Sequence, residues 1–182
     1  MGEKDAGLIS DLGFRAMAFL ITQIRDRIHH PGRFLERIGI EPGMTVVDYG
    51  CGPGSYVRAA SRLVGERGHL YAVDIHPLAI ESVSRIIEAD GLANVTPVLA
   101  QGYDSGLGDG VADLVYALDM FHMVGDADAF LKELGRIVRP GGILVIDDGH
   151  QPRKATKEKI LRSEIWTIEK ETDAYLRCRR RR

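Results

Sequence analysis

The 182-residue sequence predicts one α/β domain of the doubly wound, three-layer type, with a mostly parallel sheet and a C-terminal antiparallel hairpin. Three observations predict it. Short, nearly continuous apolar runs (TVVDYG, HLYAVDI, DLVYALDMF and GILVIDDG among them) alternate with segments whose apolar residues recur at three- and four-residue steps. Strands buried on both faces read in this way, whereas half-solvated antiparallel strands alternate apolar and polar residues. The first run opens directly into the glycine turn YGCGPG, as a strand does before a crossover helix. Near the C-terminus, WTIEKE and AYLRCR flank a short turn, which is hairpin spacing.

In chain order, Phe14, Met17, Ala18, Ile21, Ile24 and Ile28 form one helical stripe. A short helical piece at 34–38 and the turn EPGM at 41–44 lead into the first strand. After the glycines, Tyr56, Val57, Ala60, Leu63 and Val64 mark a helix, and residues 69–75 a second strand. Pro77 suits the first turn of the next helix, which carries Leu78, Val83, Ile86 and Ile87 and stops at Gly91. A third strand is expected at 96–100 and a fourth in the run at 113–121, with the loop DSGLGDG between them. Phe130, Leu131, Leu134, Ile137 and Val138 form another helical stripe, which PGG at 140–142 is expected to stop before the fifth strand. A polar helix at 153–164 precedes the hairpin.

Composition narrows the functional classes. With 45% hydrophobic residues, 27% charged and a net charge of -2, the chain suits a globular core and gives no general attraction to polyanions. Nucleic acid is therefore not an expected partner, although Arg177 and Arg179 to Arg182 form a basic run. Cys51 and Cys178 are too few and too separate for a disulfide framework or a metal site. No apolar run reaches the roughly 18 residues of a membrane span. The opening MGEKDAGLISDLG lacks the order of a secretion signal, so a cytoplasmic location is expected.

Ligands of doubly wound sheets sit beyond the carboxyl ends of the strands, which points to YGCGPG, DIHP, AQGYD, ALDMFH and DDGH. Gly50, Gly52 and Gly54 are spaced G-x-G-x-G; a dinucleotide fingerprint would place glycine where Ser55 stands. Asp48, two residues before the turn, disfavours a pyrophosphate and suits a cationic group. Asp74 closes the second strand, where a carboxylate can hold ribose hydroxyls.

Together VVDYGCGPG, YAVDIHP, ADLVYALDMFHMV and LKELGRIVRPGGILVIDDGH resemble the successive motifs of class I S-adenosylmethionine-dependent methyltransferases, over roughly residues 40–150. The chain is most similar to the small branch related to ubiquinone and menaquinone biosynthesis. The resemblance implies a Rossmann-like methyltransferase fold in a single domain (1–182), with a helical lid at 1–38, a cofactor-binding core at 40–150 and the final helix and hairpin at 151–182. It implies S-adenosylmethionine as cofactor and a small-molecule acceptor, with a homodimer as a candidate assembly. Carried over, Gly50, Cys51, Gly52 and Gly54 lie beneath the methionine part with Asp48 near its ammonium. Asp74 binds the ribose and Ile75 packs on the adenine, while Gly102 and Tyr103 stand where the family offers an acid to the adenine. Leu118 and Asp119 line the methionine side.

His122, Asp148 and His150, with Asp147, are candidate catalytic residues, since an oxygen or nitrogen acceptor must lose a proton. Their spacing matches no compact metal-ligand motif, and no metal is expected. Two rival readings remain at this point: a catalytically silent S-adenosylmethionine-binding subunit and a nicotinamide-dependent oxidoreductase.

Overall fold

The computed structural model describes residues 31–181; the stripe at 14–28 and most of the expected lid lie outside the described residues. Seven strands form one sheet in the order β3-β2-β1-β4-β5-β7-β6. They are β1 (Thr45–Tyr49), β2 (His69–Asp74), β3 (Val95–Leu99), β4 (Ala112–Ala117), β5 (Val138–Ile146), β6 (Trp166–Glu171) and β7 (Leu176–Arg180). The first five run parallel, and β7 lies antiparallel to both β5 and β6. The described helices are α1 (Pro31–Ile38), α2 (Val57–Val64), α3 (Pro77–Asp90), α4 (Ala127–Ile137) and α5 (Arg153–Arg162).

Each face of the sheet buries its own apolar layer. On one side Phe121, Phe130, Leu134, Ile160 and Trp166 pack on Val115 and Leu144. On the other, Leu35, Ile38, Val57, Val64 and Val83 pack on Val46 and Leu114. The central strands are apolar on both faces because both are covered, as the near-continuous runs required. Trp166 is fully buried and its indole N–H donates to the Leu131 carbonyl at 3.1 Å, so the terminal hairpin is anchored to α4.

Local signals set the helix ends. Pro77 opens α3, where the His76 side chain accepts from the Leu78 amide at 3.2 Å, and Gly91 closes it in the left-handed region at φ 63°. Asp126 caps α4 by accepting from the Ala129 amide at 2.9 Å.

Two boundaries differ from the expectation. PGG does not separate α4 from the fifth strand; the strand begins at Val138 and absorbs Pro140–Gly142 at a register shift, with Ala112 opposite Val138 and Leu114 opposite Ile143. Such a shift lets proline and glycine sit at a strand's irregular start. The fourth apolar run leaves the sheet at Ala117: Asp119 takes φ 57°, and Phe121–Met123 form a 3-10 turn.

Candidate functional site

Strand order reverses direction between β1 and β4, so the loops at their carboxyl ends diverge and leave a crevice between them. A cavity of about 470 Å³ occupies it. Its wall contains Gly50 and Gly52 from the loop after β1, Asp74 and Ile75 from the end of β2, Gly102 and Tyr103 after β3, and Leu118 and Asp119 after β4. Four of the five strand-end segments expected at the site thus converge on one space. The fifth, DDGH, lies beside it.

The glycine loop is hooked to β2, since the amides of Gly50 and Cys51 both donate to the Val73 carbonyl, at 2.8 and 3.0 Å. Its three glycines have positive φ for different reasons. A Cβ on Gly50 would come within 2.8 Å of Met120, and one on Gly54 within 2.7 Å of Ile86 on α3. At Gly52 the space is open, and that residue lines the cavity. Gly54 therefore serves helix packing, while Gly52 clears room for a ligand.

Asp74 ties the loop to the strand end: Oδ2 accepts from the Gly52 amide at 2.8 Å and Oδ1 from the His76 amide at 2.9 Å. Those bonds hold the carboxylate at the cavity edge, with Ile75 beside it 63% exposed. Cys51 is buried beneath the loop, where burial first and then the charges of Asp48 and Asp74 push its thiol far up. A thiol held neutral in this way is a packing group. Asp48, buried at the end of β1, and Gly54, packed on α3, do not line the cavity either.

In AQGYD, Gln101 and Asp104 exchange backbone hydrogen bonds of 2.9 and 3.1 Å around Gly102, which sits at φ 62°. Tyr49 donates its hydroxyl to the Tyr103 carbonyl at 2.7 Å, and the Tyr103 hydroxyl accepts from the Asp126 amide at 2.9 Å. Both rings meet Phe130 edge-on, with centroids 5.2 and 5.9 Å away. Asp104 instead accepts from the Gly106 amide at 2.8 Å and lies 4.0 Å from Arg136. It stands in a separate, shallower groove of about 850 Å³, where Arg136 pairs with Glu133.

Residues that sequence reasoning passed over complete the cavity. Met120, Met123, Val124 and Phe130 form an apolar wall, and Met123 is 70% exposed. Their signal was the apolar pattern MFHMV, which reads equally well as the end of a strand. Ser55 lines the cavity too, and its buried Oγ has no hydrogen-bond partner among the described residues.

The expected catalytic residues sit on the rim. His122 is on the 3-10 turn, off the cavity wall, with Gly149 packed so closely on its ring that a Cβ there would overlap Nδ1. His150 meets His122 edge-on at 4.9 Å, and its Nε2 lies 3.8 Å from Asp119, which does line the cavity. Asp148 is committed elsewhere: both its oxygens accept from Arg153 Nε, at 2.9 and 2.7 Å. The same arginine donates to the carbonyls of Thr172 and Asp173, so the pair staples α5 to the β6–β7 turn. Among the described residues no three histidine, cysteine or acidic side chains gather as metal ligands, and no helix is long and apolar enough to cross a membrane.

A Rossmann-like sheet with an acid at the end of β2 and a glycine loop opening on a mixed polar and apolar cavity defines a nucleoside-binding enzyme. Residues 47–146 match the family model described as "Methyltransferase domain", and the chain belongs to this family of class I S-adenosylmethionine-dependent methyltransferases. It is 30% identical over 190 residues to the ribosomal RNA large subunit methyltransferase E of Pseudomonas aeruginosa, covering 92% of this chain and 85% of that one. It is 28% identical over 127 residues to the ubiquinone/menaquinone biosynthesis C-methyltransferase of Shewanella oneidensis, covering 69% of this chain and 51% of the relative. Among solved structures, a SAM-dependent methyltransferase from Aquifex aeolicus superposes with a TM-score of 0.76 at 25% identity, covering 85% and 91% of the two chains. Membership of this family displaces the oxidoreductase reading.

The residues present fit S-adenosylmethionine. A volume of about 470 Å³ is within the usual range for a small-ligand site. Asp74 stands at the cavity edge, Gly52 leaves space, Ser55 offers an unused hydroxyl, and Ile75 with Met123 present exposed apolar surface.

Proposed function

We propose that this methyltransferase methylates a small-molecule acceptor, with Asp74 holding the ribose, Gly50 and Gly52 bordering the methionine part, and Ile75 and Met123 packing on the adenine. Asp48, buried at the end of β1, is the charge partner of the ammonium. The observation that carries the acceptor class is the cavity itself, a recess walled by Tyr49, Met120, Val124 and Phe130 with Asp119 at its edge. When bound, S-adenosylmethionine supplies a methyl group already activated on a positively charged sulfur. The protein's task is then alignment and exclusion of water, which this apolar wall serves. Where the acceptor is a hydroxyl or amine, Asp119 on the cavity wall, with His150 Nε2 3.8 Å from it, is placed to take its proton.

The second reading, an RNA acceptor, is favoured by the 30% identity to a ribosomal RNA methyltransferase over most of the chain. Against it, Arg177 donates to the Ile38 carbonyl at 3.1 Å and pairs with Glu169, and Arg179 donates to the Gly141 carbonyl at 2.6 Å and to Glu169 at 2.7 Å. Those guanidinium groups are engaged within the fold rather than offered to phosphates.

The test is titration calorimetry with S-adenosylmethionine and S-adenosylhomocysteine, followed by transfer of a tritiated methyl group into a fractionated extract. Label in the low-mass fraction supports the small-molecule reading. Label confined to ribosomal RNA overturns it.

A further inference from the structure

Asp147 is the remaining candidate for proton transfer, and its contacts point to another role. Ala117 of β4 and Ile146 of β5 are the last register partners of the two strands. Immediately beyond them, Asp147 meets the departing β4 chain twice. Its amide donates to the Ala117 carbonyl at a long 3.5 Å, and its Oδ1 accepts from the Asp119 amide at 2.7 Å. The shorter bond falls where the backbone is most constrained. Asp119 takes φ 57°, and among the described residues only Glu164 is another non-glycine residue with positive φ. An L-residue adopts that conformation at a cost, which an acceptor fixed on its amide offsets. A carboxylate suits the task, since it accepts without donating and its charge strengthens the bond from an N–H.

The wall of the cavity depends on this turn. Leu118 and Asp119 enter the wall, and Met120 lies so close to Gly50 that a Cβ there would come within 2.8 Å of its Cγ. Met120 then caps the 3-10 turn, accepting from the Met123 amide at 2.9 Å, and Met123 and Val124 complete the apolar wall. A strand continued past Ala117 would instead send alternate residues to opposite faces of the sheet. Asp147 itself does not line the cavity, so its carboxylate acts on the cavity through the backbone of Asp119. We infer that Asp147 is a positioning residue: its carboxylate holds the left-handed turn and thereby sets Asp119 and the wall from Met120 to Val124 against a bound S-adenosylmethionine. This rests on the cavity being the S-adenosylmethionine site, as proposed above. The role requires an acceptor oxygen at one point and no proton transfer.

The test separates the acceptor from the charge, and both from general stability. Calorimetry with S-adenosylhomocysteine should give a Kd raised about tenfold or more in Asp147→Ala, the scale of one hydrogen bond to a charged group. Asp147→Asn keeps an oxygen acceptor with roughly half the strength of the charged one, and its Kd should stay within about threefold of wild type. Arg153→Ala, which loosens the neighbouring α5 and hairpin turn, should lower Tm without moving that Kd and so controls for destabilisation alone. In Asp119→Gly the left-handed turn carries no steric cost, and adding Asp147→Ala should weaken binding by no more than about threefold further. Exchange of the Asp119 amide, followed by nuclear magnetic resonance without ligand, should accelerate at least about tenfold in Asp147→Ala. Unchanged S-adenosylhomocysteine affinity in Asp147→Ala would overturn the inference, as would equal losses in the alanine and asparagine variants. Wild-type protein that bound neither S-adenosylhomocysteine nor S-adenosylmethionine would overturn the site assignment and the role that rests on it. Accelerated exchange would still mark the hold on Asp119 in that case, so the two failures are told apart.

Discussion

Alanine at Gly54 and alanine at Gly52 should damage this protein in different ways, although the two positions belong to one loop. Gly54 has φ 92°, and a Cβ there would sit 2.7 Å from Ile86 Cδ1 and 3.3 Å from Val83 Cγ2, both on α3. The backbone conformation costs an L-residue about 1–2 kcal/mol. Overpacking a filled layer adds about 1–3 kcal/mol. The sum, about 2–5 kcal/mol, corresponds to a Tm lowered by roughly 4–20 °C in a domain of this size. Gly52 has φ 51° and nothing within 4 Å of its added Cβ, so only the backbone cost applies, roughly 2–8 °C of Tm. The methyl group would instead protrude where Gly52 lines the cavity, and S-adenosylhomocysteine affinity should fall more than about tenfold. Thermal unfolding and calorimetry on both variants read the two effects separately. Adding Ile86→Val to Gly54→Ala removes the contacting methyl and should recover the packing share while leaving the backbone share. Ligand affinity unchanged in Gly52→Ala, with a Tm loss equal to that of Gly54→Ala, would refute the division of labour argued for the loop.

Three further outcomes are expected. Asp74→Asn keeps an acceptor for one of the amides of Gly52 and His76 but loses the charge, so S-adenosylhomocysteine Kd should rise at least about tenfold while Tm moves by no more than about 4 °C; calorimetry checks it. Arg153→Ala removes the staple between α5 and the hairpin turn and should lower Tm by roughly 4–8 °C, from about 2 kcal/mol for a partly exposed charged network, with ligand affinity unchanged. For Glu133, burial pulls the carboxyl upward, but hydrogen bonds from Arg136 and Ser105 outweigh it and hold the group below the usual glutamate range. A depressed folded-state value contributes stability above the unfolded pKa and loses it as pH falls through the folded one. Urea midpoints followed from pH 7 to pH 3.5 should therefore drop less steeply in Glu133→Gln; an unaltered acid slope would count against that contribution.

The fold was legible because a parallel sheet covered on both faces leaves no strand room for polar alternation, and β1, β2, β4 and β5 carry that imprint directly. The hairpin was legible for the opposite reason, since β6 mixes exposed Glu169, Lys170 and Glu171 with buried Trp166. What did not show was where an apolar run stops being a strand. DLVYALDMF has the same composition throughout, yet it leaves the sheet at Ala117 because Asp119 turns into the left-handed region and gives its amide to Asp147 at 2.7 Å. That bond joins residues 28 positions apart, and no local pattern encodes it. The apolar wall of Met120, Met123 and Val124 depends on the break, so it was missed along with it.

The cofactor loop shows how far motif reading reaches into chemistry. Strand-end position and the family resemblance together pointed to Gly50, Gly52, Asp74, Ile75, Gly102, Tyr103, Leu118 and Asp119, and they line one cavity because the topology gathers strand ends. Spacing does not say which way a side chain faces once it arrives. In AQGYD the turn around Gly102 and the bond from Tyr49 to the Tyr103 carbonyl send Asp104 to Arg136 in the neighbouring groove, so the one acid of that segment is off the cavity wall. In VVDYG, the acid beside the glycines is buried at the end of β1, and the register that places it opposite Tyr116 follows only from pairing β1 with β4. In the loop after β5, Asp148 belongs to Arg153, although its residue type suited proton transfer. Three carboxylates of similar promise in sequence thus do three different jobs. Their partners decide which, and each partner comes from another element of the fold.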